Sequence, residues 1–555
     1  MRNPFFASFV IMLLACHNSH SQEPEVYFSS QIDSLDRVHA LNVKVSKPLG
    51  GVHVIRVRNQ KDFDEMNESI IAAVEAGEKN IRVKIKQGVY QFRENHLELV
   101  KFHYPDVSIS LEGKNAVVTS DADFSSSSYN DSPWQVVSFA DGLIEVVDKE
   151  QKLCFLPFLN TIDETEEYPK IQVTQWFRAP IYDVTKIDKN GVYFIAPELN
   201  YLEQFGRKEY SVNYDFIYSG QKPRFRLYNY SLERPSKSTC FALLKNSVFR
   251  SFSIKGLRFY GNKQGESLLF LIDVHAGSFL IEECVFDAIR GSVLRASKAD
   301  NVIFNRNTVI RTDGGELSFS NGCKNVHVTQ CVFRQCGQKM SNTMCVRCNE
   351  SEYYIANNTF LDFGYCAIGV GLWHGHNKKY DTRGIIEHNE ISFSPGYFSQ
   401  KEKYTLMDSG AIYVWTQNDD AIIRYNYIHD YGGMRFNSGI YCDDGASNCK
   451  IYGNVILNTP DGCSISSRRV EDSKEGFRNN VNNFIADNVV DGAVVFGCSA
   501  KDQRHCQKGA NYVIQTGAQT TYKDRFENLE QREEDVVIKS NDKILRKKIK
   551  QCTRR

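Results

Sequence analysis

The acidic residues with the most informative spacing in the chain are Asp408 and the adjacent pair Asp443 and Asp444. Asp408 opens the run Asp-Ser-Gly-Ala-Ile-Tyr-Val-Trp, and the pair closes the run Ser-Gly-Ile-Tyr-Cys-Asp-Asp, so two similar strand-like segments each carry an aspartate. Hydrolysis of a glycosidic bond usually uses two carboxyl groups, about 5–5.5 Å apart for retention or roughly 6.5–9.5 Å apart for inversion. Neighbouring strands of a sheet lie about 4.8 Å apart, which suits either spacing. These three aspartates are therefore the candidate catalytic residues.

The formation of turns is the alternative role for the same aspartates. Asp-Asp-Gly is a composition typical of a turn, and Asp313 opens a similar Asp-Gly-Gly-Glu-Leu run several repeats before Asp408. Adjacent residues of a strand point to opposite faces, so Asp443 and Asp444 would not point the same way. Alternation places Asp443 outward, which favours it as the cleft carboxylate, and both roles stay open.

Aromatic, histidine and arginine residues near these aspartates are the candidate substrate-binding residues. The three aromatic residues alternate with apolar ones, so they would face outward and stack on sugar rings, with ordinary packing under a loop as the alternative. The two histidines lie in a long insertion, where exposure to solvent is the alternative. The two arginines follow a strand and would bind a sugar carboxylate or serve a lyase as base, or lie at a solvated strand end. The set is Tyr413, Trp415, Tyr441, His374, His376, Arg468 and Arg469.

These candidates lie in a chain that repeats one short phrase of six residues nine times. The first and sixth residues are apolar, the fourth is usually Asn or Cys, and the others vary. Its starts lie 23 to 37 residues apart, a period typical of a solenoid. The β-rich runs and the turn-forming Asn indicate strands, and buried Asn side chains would stack as a hydrogen-bonded ladder in an all-β parallel β-helix. The phrase starts at Ile254, Ile281, Phe304, Val328, Ile355, Ile386, Ile423, Ile451 and Ile485.

A second strand precedes several of these phrases at a fixed offset of eleven residues, as Ile412 precedes Ile423 and Ile440 precedes Ile451. Its alternation of apolar and polar or aromatic residues predicts one face toward the core and one toward solvent. In this register Ser320, Trp415 and Asp443 project outward at equivalent positions. Such a row on an elongated sheet would form a sugar-binding cleft.

The chain divides into five segments by pattern. Helical spacing from Asp62 to Gly77 predicts a helix that caps the open end of the solenoid. The repeat then stops for over a hundred residues, which indicates an inserted β-rich domain, and the last segment is highly charged. The segments are a signal peptide (1–22), the cap and first coils (23–124), the insertion (125–240), the coils with the cleft (241–498) and a charged cap or helical tail (499–555).

The first residues read as a secretory signal, because Arg2 precedes a short apolar stretch that ends in small residues. Leu-Leu-Ala-Cys16 resembles a bacterial lipobox, in which Cys16 would be acylated, whereas cleavage after Ser21 is the alternative. His17 is not the Asp that favours inner-membrane retention. We expect an exported protein of a Gram-negative bacterium, either periplasmic or an outer-membrane lipoprotein, with no membrane contact except through the anchor.

Composition excludes some classes of partner. The chain has 67 basic and 67 acidic residues, so it lacks the basic excess of a nucleic-acid binder. Of its 16 cysteines, Cys284, Cys331 and Cys442 take positions that predict small core residues. Cys345 and Cys348 have the spacing of metal ligands, but no second pair follows at zinc-finger spacing. We therefore expect no metal, no cofactor and a monomer.

The segment from residue 405 to 460 resembles glycoside hydrolase family 141 and its relatives, and the helix, strand and Gly-x-Tyr opening resembles exported right-handed β-helices. The resemblance implies a right-handed, pectate-lyase-like solenoid that hydrolyses a complex plant or host polysaccharide or oligosaccharide. The family includes α-L-fucosidase and xylanase activities, so the sugar is not fixed. Its acidic positions match Asp408 and the pair Asp443 and Asp444.

Two other functions stay open. A polysaccharide lyase on the same fold would abstract a proton beside a uronate carboxylate with a cationic or tyrosine base, often with Ca²⁺. A non-catalytic glycan-binding surface protein is also compatible, since a fold does not determine a function.

Overall fold

The computed structural model describes the chain in segments that cover most of the solenoid. The described residues are 31–39, 45–92, 94–120, 145–148, 150–157, 170–174, 181–196, 200–204, 207–211, 224–228, 240–261, 267–337, 343–371, 380, 382–395, 409–415, 420–431, 438–443, 445–459, 463–467, 482–496, 507–514, 531–532 and 535–553.

The N-terminal region forms the cap and the first coils. The predicted capping helix is present as two helices, α1 (Gln60–Asp64) and α2 (Met66–Glu75), which divide at Glu65. The Asn59 side chain accepts a hydrogen bond from the Asp62 N–H at 3.0 Å and so caps α1. Buried residues of both helices cover the end of the apolar core. The strands here are β1 (His53–Val57), β2 (Asn80–Ile85), β3 (Val89–Gln91), β4 (Leu97–Val100), β5 (His103–Glu112) and β6 (Val117–Thr119).

The predicted insertion is an antiparallel unit. Six of its strands form one sheet in the order β14-β9-β10-β11-β8-β7, and β12 and β13 pair as a hairpin. Its strands are β7 (Glu145–Asp148), β8 (Leu153–Pro157), β9 (Lys170–Thr174), β10 (Ile181–Asp188), β11 (Gly191–Ile195), β12 (Asn200–Gln204), β13 (Arg207–Ser211) and β14 (Arg224–Tyr228).

The coils then resume with long parallel pairings, as the repeat predicts. Their strands are β15 (Ala242–Lys255), β16 (Arg258–Tyr260), β17 (Ser267–Ala276), β18 (Phe279–Glu282), β19 (Val285–Asp287), β20 (Ser292–Ala299), β21 (Val302–Asn305), β22 (Thr308–Ile310), β23 (Leu317–Ser320), β24 (Val326–Thr329), β25 (Val332–Cys336), β26 (Met344–Asn349), β27 (Glu352–Ala356), β28 (Thr359–Phe363), β29 (Cys366–Gly371), β30 (Arg383–Glu387), β31 (Glu390–Ser392), β32 (Gly410–Trp415), β33 (Asp420–Arg424), β34 (Tyr427–His429), β35 (Ser438–Cys442), β36 (Cys449–Tyr452), β37 (Val455–Leu457), β38 (Cys463–Ser467), β39 (Phe484–Ala486), β40 (Val489–Val490) and β41 (Ala493–Phe496).

Each coil contributes one strand to each of three parallel sheets. The first sheet contains β17, β20, β23, β26, β29, β32, β35, β38 and β41, the second contains β18, β21, β24, β27, β30, β33, β36 and β39, and the third contains β16, β19, β22, β25, β28, β31, β34, β37 and β40. β15 is long enough to pair in both the first and the second sheet. The predicted all-β parallel β-helix with a capping helix and an inserted β-rich domain is therefore confirmed.

The predicted ladder fills the corner between the second and third sheets. The backbone N–H of each ladder residue donates to the side chain of the ladder residue on the next coil, for example Asn389 to Asn426 Oδ1 at 3.1 Å and Asn426 to Asn454 Oδ1 at 3.0 Å. Cysteine takes the same place at Cys331, whose Sγ accepts from the Asn307 N–H at 3.4 Å. These side chains are buried, so the ladder satisfies polar groups that water does not reach.

The residue before each ladder position adopts a left-handed backbone conformation. Arg306, Gln330, His388 and Tyr425 have φ values of 53°, 55°, 54° and 55°, and Gly453 occupies the equivalent place with φ 67°. This conformation turns the chain sharply between the second and third sheets. The sequence tolerates non-glycine residues there, although each carries a steric cost.

The parallel pairing continues past residue 498, where the sequence predicts only a charged cap or tail. The added strands are β42 (Gln507–Lys508), β43 (Tyr512–Ile514), β44 (Gln531–Arg532) and β45 (Val536–Ile538). The ladder follows them, since Asn488 donates to Asn511 and Asn511 donates to Asp535 Oδ1 at 3.1 Å. The chain then forms α3 (Lys543–Cys552), the helix expected in this segment.

Candidate active site

The outer face of the first sheet carries the row of residues that the sequence predicts. Strand pairing aligns Asn349 with Gly371 and Gly371 with Trp415 across β26, β29 and β32. Asp443 continues this register directly after β35, because its N–H donates to the Val414 carbonyl at 2.8 Å. Ser320, at the end of β23, precedes Asn349 in the same row. Trp415 and Asp443 therefore lie on neighbouring coils of one sheet face.

Two tyrosine hydroxyls hold the Asp443 carboxylate. The Tyr441 hydroxyl donates to Oδ1 at 3.2 Å, and the Tyr413 hydroxyl donates to Oδ2. Tyr441 lies on β35, the strand that Asp443 follows, and Tyr413 lies on β32 of the preceding coil. Strand pairing places the two tyrosines directly opposite each other. An ionised carboxylate only accepts hydrogen bonds, so two hydroxyl donors suit that form. The two contacts fix the orientation of the carboxylate at the edge of the sheet.

The aromatic residues of this face pack into a cluster rather than standing free in solvent. The ring centroids of Tyr413 and Trp415 lie 5.3 Å apart, and those of Tyr413 and Tyr441 lie 5.2 Å apart in an edge-to-face arrangement. Tyr413 and Trp415 are each only 3% exposed, whereas Tyr441 is partly buried. The outward placement of all three agrees with the predicted register. Their contact with a sugar stays a prediction, and Tyr441 is the most accessible of them.

Sequence reasoning missed the residues that make room for this cluster. A Cβ added at Gly369 would lie 2.7 Å from the Trp415 ring and 2.1 Å from Met344 Sδ, so only glycine fits beneath the indole. At Gly371, where φ is 134°, an added Cβ would lie 1.9 Å from the Trp415 carbonyl oxygen. Tyr365 and Met344 complete the cluster. The available signal was Gly-Val-Gly within a strand, because glycine in a strand interior often marks a close approach by another group.

The Trp415 indole N–H is buried and has no hydrogen-bond acceptor among the described residues. A buried donor without a partner is uncommon in folded proteins and costs free energy. The Trp415 ring packs against the ring of Tyr413, whose hydroxyl binds Asp443. The cluster therefore combines an anchored carboxylate with an unused hydrogen-bond donor.

The segment after Asp443 forms a turn, as the alternative interpretation predicts. The Ala446 N–H donates to the Asp443 carbonyl at 2.8 Å, and Gly445 has φ 76°. Gly445 supplies the positive φ that such a turn requires. The turn and the outward carboxylate are compatible, since the turn uses the backbone of Asp443 and the tyrosines bind its side chain.

Six of the candidate residues lie outside the described residues: Asp408, Asp444, His374, His376, Arg468 and Arg469. Their roles stay predictions. Ser409, which follows Asp408, lies at the start of β32, because its carbonyl accepts from the Ser438 N–H at 3.1 Å. Asp443 lies beyond the end of β35, in register with Trp415. Six residue steps along the extended strand separate Ser409 from Trp415, a span of about 20 Å.

The described part of the chain offers no group of three or more His, Cys, Asp or Glu side chains that could hold a metal ion. Cys345 and Cys348 are both buried, and burial raises the pKa of each thiol well above its ordinary value. Cys284, Cys331 and Cys442 are buried free thiols, which confirms their predicted place in the core. No helix among the described residues is long and apolar enough to cross a membrane.

No family model and no curated protein matches the chain. Among solved structures, this chain is similar to one titled "Glycoside hydrolase". The match covers 89% of this chain and 98% of that chain, with 10% sequence identity and a TM-score of 0.41. A second match is the tailspike protein gp49 from Pseudomonas phage LKA1. It covers 82% of this chain and 73% of the tailspike chain, with 9% sequence identity and a TM-score of 0.20. Likenesses this weak carry no argument about activity, so the resemblance to glycoside hydrolase family 141 stays a prediction.

Proposed function

We propose that this protein is a glycoside hydrolase that cleaves a complex plant or host polysaccharide on the outer face of its first sheet. The observation that supports this most is the Asp443 carboxylate, which two tyrosine hydroxyls orient at the edge of an aromatic cluster. Carboxyl groups are the groups that glycosidic hydrolysis uses. An elongated parallel sheet would accommodate a polymer along several coils.

In this proposal Asp443 acts as the ionised carboxylate, either as nucleophile or as the base that activates water. A second carboxyl group must donate a proton to the leaving oxygen. Asp444 is the favoured donor because it is adjacent in sequence and the chain turns at this point. Asp408, carried by the similar run one repeat earlier in the sequence, is the alternative donor.

Sugar binding would involve the remaining candidates. Tyr441 presents the most accessible ring, and the buried Trp415 N–H would donate to a sugar hydroxyl if the cluster opens on binding. Arg468 and Arg469 follow β38, the next strand of the first sheet after Asp443, which would suit a substrate with acidic groups. His374 and His376 follow β29 and would contribute from the coil before Trp415.

The test is a digest of a panel of plant and host glycans by the parent protein and by Asp443→Asn, Asp444→Asn and Asp408→Asn. Asp106→Asn is the matched control, because Asp106 is an exposed carboxylate whose partner is Lys79, far from the aromatic cluster. We expect release of reducing sugars that collapses in Asp443→Asn and persists in the control.

Other outcomes would redirect the assignment. Products that absorb as unsaturated uronates, with activity that depends on added Ca²⁺, would assign a lyase. Binding that survives in Asp443→Asn, without release from any glycan by the parent, would indicate a glycan-binding protein. Full activity in Asp443→Asn would refute the proposed role of this residue.

A further inference from the structure

Helix α3 packs along the outer corner between the second and third sheets. Its apolar side joins a cluster that contains Tyr425 and Tyr452 and lies on the outside of the solenoid. Cys552 Sγ donates to the Gly453 carbonyl at 3.5 Å, and Lys548 pairs with Asp487. The helix therefore has a defined orientation, with one side against the coils and the other toward solvent.

The solvent side of α3 is a continuous basic stripe. The spacing of three and four residues places its members on one helix face. The helix contains no acidic residue, its cap is Asp542, and none of these side chains pairs with a carboxylate among the described residues. The whole chain has no net charge, so this is a local excess of positive charge. The exposed members are Lys543, Arg546, Lys547 and Lys550.

Apolar side chains are exposed beside the start of this stripe. Val536 and Val537 of β45 are 45% and 62% exposed, and Lys539 follows them on the surface. An aqueous polyanion would gain little from exposed valines. A bilayer surface provides both anionic headgroups and an apolar layer beneath them, so exposed apolar residues beside cations favour a membrane.

The N-terminal segment, residues 31–39, lies against the same apolar cluster as α3. Arg424 is buried and donates to the Leu35 carbonyl at 2.8 Å and to the Val38 carbonyl at 2.9 Å. A pocket of about 420 Å³ separates Asp36 and His39 from Gln551 near the end of α3. The predicted acylation site, Cys16, precedes this segment by 15 residues. An extended chain of 15 residues reaches about 50 Å, so an anchor at Cys16 would hold this flank within that distance of the membrane.

We propose that the flank formed by α3, β45 and the N-terminal segment docks on an anionic phospholipid surface. Anionic headgroups attract a basic patch, and apolar residues beside the patch can enter the interface beneath the headgroups. The flank lies over the corner of the second and third sheets, whereas the aromatic cluster lies on the first. The proposed active site would therefore stay open to a polymer while the protein is docked. This proposal does not depend on the glycosidase activity.

The test is binding of the exported full chain to vesicles of equal parts phosphatidylglycerol and phosphatidylcholine, compared with pure phosphatidylcholine. All proteins carry Cys16→Ser, which removes the acylation site. The test variant combines Lys543→Gln, Arg546→Gln, Lys547→Gln and Lys550→Gln. The control combines the same change at four exposed lysines elsewhere on the solenoid: Lys84, Lys86, Lys298 and Lys324.

We expect the parent to prefer anionic vesicles. The test variant should lose affinity about a hundredfold or more, since each basic residue near an anionic surface contributes about fivefold. The control should stay within about threefold, and Val537→Ser should weaken binding while it keeps the salt dependence. Equal loss in both quadruple variants, equal binding to neutral vesicles, or preference for polygalacturonate over vesicles would overturn the proposal. Unchanged denaturation midpoints would show that the variants remain folded.

Discussion

Replacement of Asn426 by alanine tests whether the buried ladder holds the solenoid together. The side chain is fully buried and contacts three coils: its Oδ1 accepts from the Asn389 N–H, and its Nδ2 donates to the Ile386 carbonyl at 3.0 Å and to Asn454 Oδ1 at 3.0 Å. Alanine removes the acceptor of two buried donors, the Asn389 N–H and one Nδ2–H of Asn389. Each such group costs about 1–3 kcal/mol, so we expect a loss of about 2–6 kcal/mol.

Asn426→Cys is the matched control, because cysteine already occupies the ladder at Cys331. There the sulfur accepts from the Asn307 N–H at 3.4 Å, the equivalent of the Asn389 N–H, and donates to the Phe304 carbonyl at 3.4 Å, the equivalent of the Ile386 carbonyl. We therefore expect Asn426→Cys to lose less than half as much stability as Asn426→Ala.

The assay is the urea midpoint of unfolding of each variant, compared where the dependence of the unfolding free energy on urea concentration is unchanged. Hydrogen exchange of the β33 and β34 amides measures the stability of these coils locally. The local measure is needed because solenoids can unfold in parts. A loss below about 1 kcal/mol for alanine would refute the reasoning, since the predicted unpaired groups would then be solvated or re-paired. Equal losses for alanine and cysteine would also refute it.

Three further predictions concern single side chains. Tyr413→Phe removes a hydroxyl donor from Asp443, and kcat/KM on the cleaved glycan should fall about tenfold or more with little change in stability. Burial lowers the pKa of His96 to about 4, so the folded protein favours the neutral ring. The free energy of unfolding should therefore be highest above about pH 6.5 and should fall by about 1–3 kcal/mol as the pH is lowered to 4. His96→Phe, which keeps the stack on Phe63, should remove that acid sensitivity, and an unchanged pH profile of the denaturation midpoint would contradict this. Gln330→Gly relieves a left-handed φ of 55° and should raise stability by about 0.5–1 kcal/mol, unlike Gln330→Ala.

The coils are predictable from the sequence, because the ladder places Asn, or Cys in its stead, at the same position of successive repeats. Asn358, Asn389, Asn426, Asn454 and Asn488 all lie where the repeated phrase places them. The last coils were missed for a physical reason: β42 and β44 are only two residues long and lie in a charged segment, so apolar alternation is too short to detect.

The candidate site was predictable only in part. Alternation along one strand places Trp415 and Asp443 outward, but it does not show that the indole covers Gly369 on another coil. That contact joins residues 46 positions apart, and no local pattern encodes it. Gly410 aligns with Ser438 across β32 and β35, whereas Asp408 lies outside the described residues, so its pairing with Asp443 stays a prediction.

The ladder has a direction and ends at an aspartate. Each asparagine side chain accepts from the coil before it and donates through Nδ2 to the coil after it, whereas the Asp535 side chain accepts from Asn511 and has no amide N–H to donate onward. Its other oxygen takes the Lys508 ammonium at 2.9 Å, which closes the row at the last coil. A stack of this kind is modular: a coil that carries asparagine at the corner can be added or lost in the middle without altering either end. The length of the outer face is therefore open to change by duplication of single coils, and with it, on the proposed function, the number of sugar units bound, while one acidic residue marks where the stack stops.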